Sequence, residues 1–213
     1  MHLINAFKRP LNEEALYWLG FLATDGNLSS YGHCISFSLS GEDRIHVCRL
    51  KEFLQYGTLF DVQPLHGNIF TKFVLSSVEV YKDLTSFGLT PRKSLTLKIS
   101  DEVVESGSFW AGCFDGDGCI RKVDDCYFRT SLCSSSVSFI GQYSNFVGTL
   151  GILGRLYSVR SRAGNIHYQY SVNSQKDIRV LVKTMYDKVE AISLPRKRRL
   201  IQEAIYGTAS VSA

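Results

Sequence analysis

The stretch SFWAGCFDGDGCIRK, residues 108–122, has WAGCFDGDG at its centre: an apolar run of helical length that ends in two acids, each followed by glycine. A second, rougher version lies in ALYWLGFLATDGNL, residues 15–28, centred on WLGFLATDG. Aligned on the last glycine, Trp18 matches Trp110, Gly20 matches Gly112 and Asp25-Gly26 matches Asp117-Gly118, so the copies stand 92 residues apart. A repeat of that length in 213 residues implies two copies of one large unit. Solenoid units are shorter, about 20–50 residues.

The same order of elements follows each copy. Asn12 is placed to cap the first helix, with Glu13 and Glu14 in its first turn. Gly26 reads as a left-handed stop. In YGHCISFSLS, residues 31–40, Ile35, Phe37 and Leu39 alternate with small polar residues, the pattern of a half-buried strand. EDRIHVCRLKEFLQY reads as an amphipathic helix with an apolar stripe of Ile45, Cys48, Leu50, Phe53 and Leu54. Two strands, GTLFDV and NIFTKFVLSS, and a short helix over 77–87 complete the unit. After the polar connector DEVVESGS, the second motif helix starts at Ser106 or Ser108, followed by strands CIRKV and CYFRTSLC and the helix FIGQYSNFVGTLGI. GRLYSVRS and NIHYQYSVN form a hairpin, and two helices end the chain, the last basic. In NIHYQYSVN, Ile166, Tyr168, Tyr170 and Val172 share one face, while His167, Gln169, Ser171 and Asn173 make the other wholly polar. The tripeptides Pro91-Arg92-Lys93 and Pro195-Arg196-Lys197 occupy matching places. The repeat thus takes in nearly the whole chain, with units at residues 1–100 and 101–213.

A hydrophobic content of 45% is ample for a packed core. No stretch approaches the ~18 unbroken apolar residues of a membrane span, and the N-terminus lacks the pattern of a signal peptide. An intracellular, soluble protein with no membrane partner is the expectation. The six cysteines include no closely spaced pair, which argues against a zinc ribbon or finger. Net charge is only +4, but it is unevenly placed. No acid occurs between Asp125 and Asp177, an interval that carries Arg129, Arg155, Arg160, Arg162 and Lys176 among five tyrosines. Strand-rich segments cleared of negative charge suit a phosphate backbone.

A mid-helix glycine costs about 1 kcal/mol relative to alanine, so Gly20 and Gly112 make sense where another backbone comes close. If the two motif helices pack at those glycines, Asp25 and Asp117 meet at their C-terminal ends. Those carboxylates repel each other and oppose both helix dipoles. A divalent cation relieves the conflict, and an all-oxygen donor set suggests Mg²⁺. Paired acids holding metal beside a basic surface point to phosphodiester hydrolysis.

WLGFLATDG and WAGCFDGDG resemble the paired motifs of the LAGLIDADG homing endonucleases, and the matching repeat extends the resemblance over about residues 12–206. The resemblance implies an α+β fold of pseudo-symmetric tandem αββαββα units. Their paired motif helices form the interface, and two antiparallel β-sheets form a saddle over double-stranded DNA. It implies a monomer, a pseudo-dimer within one chain, that makes a staggered double-strand break at a long asymmetric target. Asp25 and Asp117 take the metal-binding positions, with the carbonyls of Thr24 and Gly116 assisting. Mg²⁺ is the expected cofactor, with Mn²⁺ substituting and Ca²⁺ supporting binding without cleavage. By repeat position Lys93 and Lys197 are the candidates for the catalytic lysines that the resemblance implies near each scissile phosphate, with Lys98 and Arg196 the nearest competitors. The first motif acid is Asp115 in one copy and Ala23 in the other, a departure at a position that is structural in the family. Lys72, Arg121, Arg129, Arg160, His167 and Gln169 are the expected DNA-contacting side chains. Relatives of this fold also assist intron RNA splicing or regulate transcription without cutting, and those readings stay open beside the endonuclease.

Overall fold

The computed structural model describes residues 5–64, 67–124, 127–160 and 164–207. The first unit runs α1 (Glu13–Thr24), β1 (Asn27–Ser29), β2 (Cys34–Ser40), α2 (Arg44–Leu54), β3 (Thr58–Val62), β4 (Phe70–Ser76) and α3 (Val78–Ser86). A one-turn α4 (Asp101–Val104) lies in the connector. The second runs α5 (Gly107–Asp117), β5 (Gly118–Asp124), β6 (Tyr127–Ser134), α6 (Val137–Thr149), β7 (Arg155–Arg160), β8 (Ile166–Val172), α7 (Gln175–Tyr186) and α8 (Pro195–Tyr206). The strands form two antiparallel four-stranded sheets of the same topology, β1-β2-β4-β3 and β5-β6-β8-β7. The fold is therefore α+β, in two tandem αββαββα units.

Polar caps start the helices where the sequence places them. Asn12 accepts from the Ala15 N–H, and Ser77, Ser106, Ser136 and Ser174 each accept from the N–H three residues on. Such caps hold about 1 kcal/mol each. Both motif helices are buried almost all round, from Tyr17 to Ala23 and from Ser108 to Asp115. A helix apolar on every side belongs at the centre of a molecule. Trp18 packs among Phe21, His46 and Phe53, and Trp110 among Phe139, Tyr143 and Phe146, one aromatic cluster per unit.

The helices cross at their glycines. A Cβ on Gly20 would stand 1.9 Å from the Phe109 carbonyl oxygen, and one on Gly112 would stand 1.9 Å from that of Tyr17. Because Tyr17 and Phe109 are themselves 92 residues apart, the crossing obeys the repeat. Only glycine permits this approach.

Three sequence expectations change. Gly26 is not left-handed: Asp25 keeps helical angles, and Gly26 is needed because a Cβ would lie 2.4 Å from the Leu22 carbonyl oxygen, as one on Gly118 would from Phe114. Residues 31–33 form a 3-10 turn, so the strand starts at Cys34, and its hairpin partner is the three-residue β1. On α2, Ile45 is 55% exposed and the buried stripe is His46, Val47, Leu50 and Leu54. Arg162 lies outside the described residues.

Candidate metal centre and nucleic-acid interface

The crossing carries the two helix ends to one place. A side chain on Gly116 would meet Thr24 Oγ1 at 2.1 Å and Asp25 Oδ2 at 3.3 Å. Asp25 and Asp117 interact electrostatically there. Burial, then the charge of Asp117, raises the Asp25 carboxyl to about 6, against the opposing pull of Lys197, Lys93 and Arg196. Asp117 keeps solvent contact, yet enough protein surrounds its carboxyl that desolvation raises it too, with Lys197 and Lys93 opposing.

Both motif lysines point at the same centre and in matching ways. Lys93, in a 3-10 turn entered through left-handed Arg92, donates from Nζ to the Gly26 carbonyl. Lys197, in the first turn of α8, donates to the carbonyls of Gly118 and Phe114 at 2.6 Å, Asp115 at 2.8 Å and Gly116 at 3.3 Å. Each ammonium therefore neutralises the C-terminal end of a motif helix, a role the sequence reading did not assign. Burial lowers the Lys197 ammonium to about 8, although the charge of Asp115 opposes it, and burial lowers Lys93 against the pull of Asp117 and Asp25.

Asp115 is fully buried. It accepts from the Tyr17 hydroxyl at 2.5 Å, the Tyr186 hydroxyl at 2.6 Å and the Leu194 N–H at 2.7 Å. Burial still raises its carboxyl, against these hydrogen bonds and the charge of Lys197. It ties α1 of the first unit to α7 and the start of α8 in the second.

Among the described residues, no three or more His, Cys, Asp and Glu side chains gather into a metal-binding group. The donors at this centre are the Asp25 and Asp117 carboxylates, with the Thr24 side chain against Gly116 and the Gly116 carbonyl, which also accepts from Lys197 at 3.3 Å. That set fits a hard cation such as Mg²⁺, which takes one or two carboxylates and completes its shell with water and substrate phosphate. It does not suit zinc.

Cross-strand pairing fixes the face of each expected DNA contact. Arg121 and Arg129 are direct neighbours on the open face of the second sheet, because Ile120, Phe128 and Thr130 are buried on the other. With Ser131, Tyr157, Gln169, Ser171 and Asn173 they line a trough of about 420 Å³. His167 also lies on the open face but lines a separate cavity with Asp117, Lys93 and Thr24, and bonds to Ser135 at 2.8 Å. Arg160 pairs with Ile166, so alternation sets it on the opposite face from His167 and Gln169. Among the described residues, Lys72 is alone as a cation on the open face of the first sheet, 5.9 Å from the Phe60 ring. Arg155 and Tyr157, which the sequence reading did not single out as contacts, join the open face through their pairing with Ser171 and Gln169. Only the register could have found them.

The family model for a LAGLIDADG-like domain matches residues 105–186. A search of curated protein sequences gives no match. Among solved structures, the LAGLIDADG meganuclease I-AabMI bound to uncleaved DNA shares 14% identity at a TM-score of 0.60, covering 91% of this chain and 89% of that one. The homing endonuclease I-WcaI bound to its DNA recognition sequence shares 12% at a TM-score of 0.63, covering 94% and 88%. The N-terminal LAGLIDADG domain of DUF199/WhiA shares 16% at a TM-score of 0.57, covering 92% of both chains. Residues 105–186 therefore match the model of a LAGLIDADG-like domain, and the chain as a whole has the fold of the LAGLIDADG meganucleases.

Proposed function

We propose that this chain is a metal-dependent, sequence-specific DNA endonuclease of the homing type, hydrolysing one phosphodiester bond in each strand of a long asymmetric duplex. The observation that carries this reading is the pairing of Asp25 with Asp117 at adjoining helix ends. Folding alone gains nothing from two such acids, which oppose each other and both dipoles. The Asp25 and Asp117 carboxylates, with the carbonyls of Thr24 and Gly116, would hold Mg²⁺ or Mn²⁺. When bound, the cation supplies Lewis-acid activation of water and stabilisation of the phosphorane-like transition state. Lys93 and Lys197 set fixed positive charge beside the acids, where negative charge develops on the phosphate. Arg121 and Arg129, directly opposite on neighbouring strands, repel one another in the free protein. DNA over the trough turns that repulsion into attraction.

The fold alone also allows a second reading, a nucleic-acid-binding regulator or RNA-splicing factor on the same scaffold, since a fold does not choose its function. One experiment separates the two. Cleaved duplexes are selected from a randomised library with Mg²⁺, and the selection is repeated with Asp25→Asn and Asp117→Asn. The parent should cut a discrete family of sites. Each variant should bind those sites yet cut them slower by roughly three orders of magnitude. Unchanged cutting by either variant defeats the assignment, and binding without cutting by the parent establishes the second reading.

A further inference from the structure

The two sheets share a topology but not a chemistry. The pair Asn27 and Ser36 corresponds by repeat to Cys119 and Ser131, which sets the open faces in register residue by residue. The positions of Arg121 and Arg129 are then held by Ser29 and Cys34 in the first unit. Carried across to the outer strand, Arg155 corresponds to Thr58. The second sheet thus offers three arginines where the first offers none. Phe60 and Val62 of the first sheet match Tyr157 and Val159 of the second, all four more than 40% exposed, and the sheets part at Phe70 and Val74, whose counterparts are His167 and Ser171. Among the described residues the first sheet's one cation on this face is Lys72.

Phe70 and Val74 thus keep apolar surface where the second sheet is polar. They continue the face that in the second unit carries arginine. In the major groove, arginine pairs with the O6 and N7 of guanine, whereas apolar side chains meet the C5-methyl of thymine. From this register we infer that the target is chemically split. The half-site under the second sheet is read through guanine, and the half-site under the first is rich in A·T pairs read through thymine methyl groups. The inference rests on the endonuclease reading and specifies its substrate.

The test uses the full chain and a randomised double-stranded DNA library, selected for binding in Ca²⁺. Selected sites should show one half enriched in guanine contacts and the other in A·T pairs. Arg129→Ala, an exposed substitution, should relax the guanine half alone, which assigns the halves to the sheets. Base analogues then probe each half. Replacing thymine by deoxyuridine in the A·T half should weaken binding about threefold to fourfold per contacted methyl, and by less in total in the other half. Replacing guanine by 7-deazaguanine in the guanine half should weaken it about tenfold per contacted base. Equal thymine-methyl dependence in both halves, or a guanine-specified half that is insensitive to Arg129→Ala, overturns the split. Failure to select any site overturns the endonuclease reading and the split with it. Selected sites with two alike halves overturn the split alone.

Discussion

A carboxylate pushed up to about 6 by burial and by a neighbouring carboxylate is more stable protonated, and Asp25 is in that position. Its ordinary value is near 3.8, so the stability tied to the protonated form is fully present below about 4 and is lost as pH rises through about 6. Above that window the ionised group costs the metal-free protein on the order of 3 kcal/mol. Asp25→Asn should therefore raise the melting temperature of metal-free protein at pH 7.5 by several degrees, with no gain at pH 4. Mg²⁺ should stabilise the parent at pH 7.5 and not the variant. Calorimetry across pH and metal checks this, and a variant no more stable than the parent at pH 7.5 contradicts it. Asp25, Asp117, Lys93 and Lys197 were legible because each has a counterpart in the repeat. The partners of Asp115 were not: Tyr17, Tyr186 and Leu194 come from separate elements and leave no spacing signature.

At the scale of elements, the crossing of α1 and α5 is set by two missing side chains. Gly20→Ala or Gly112→Ala places a methyl 1.9 Å from a facing carbonyl oxygen, and the backbone on both sides is held by buried aromatic rings. Each substitution should cost at least about 3 kcal/mol, beyond ordinary overpacking, and the double variant should not fold. Gly141→Ala on α6, where a Cβ meets nothing within 4 Å, is the control and should be neutral or slightly stabilising. Urea denaturation of the three proteins decides it, and a Gly20→Ala protein as stable as the control removes the glycine argument. Helices and strands with a clean period were readable from the sequence. α2 was not wholly so, because the polar His46 takes a buried place that an apolar count gives to Ile45. The 3-10 turn at residues 31–33 was hidden for a similar reason, since Tyr31 and His33 fit the alternation without belonging to a strand.

Over the whole molecule, the tail of the first unit reaches into the second. Ser136 donates to the Leu97 carbonyl at 2.7 Å, and the Gln142 amide bonds to both the N–H and the carbonyl of Ile99. In return Arg196 pairs with Asp43 at 2.9 Å and Arg49 donates to the Ser193 carbonyl. Fragments 1–100 and 101–213, expressed separately, should each be insoluble or unfolded. Co-expressed, they should associate and recover DNA binding. Independent folding of either fragment, read by calorimetry, contradicts this. The overall repeat was visible in the sequence, but the exchange of tails was not, because no periodicity marks which unit a loop leans on. Asp115 gives this exchange a direction. In a second unit mated with its own copy, Phe109 would stand where Tyr17 now donates, and a buried carboxylate would lack one of its three donors. Half the molecule therefore cannot serve as its own mate. However similar the halves look, each is a lock cut for the other: a foreign mate for the second half must supply a hydroxyl donor opposite Asp115, and one for the first half an acceptor opposite Tyr17.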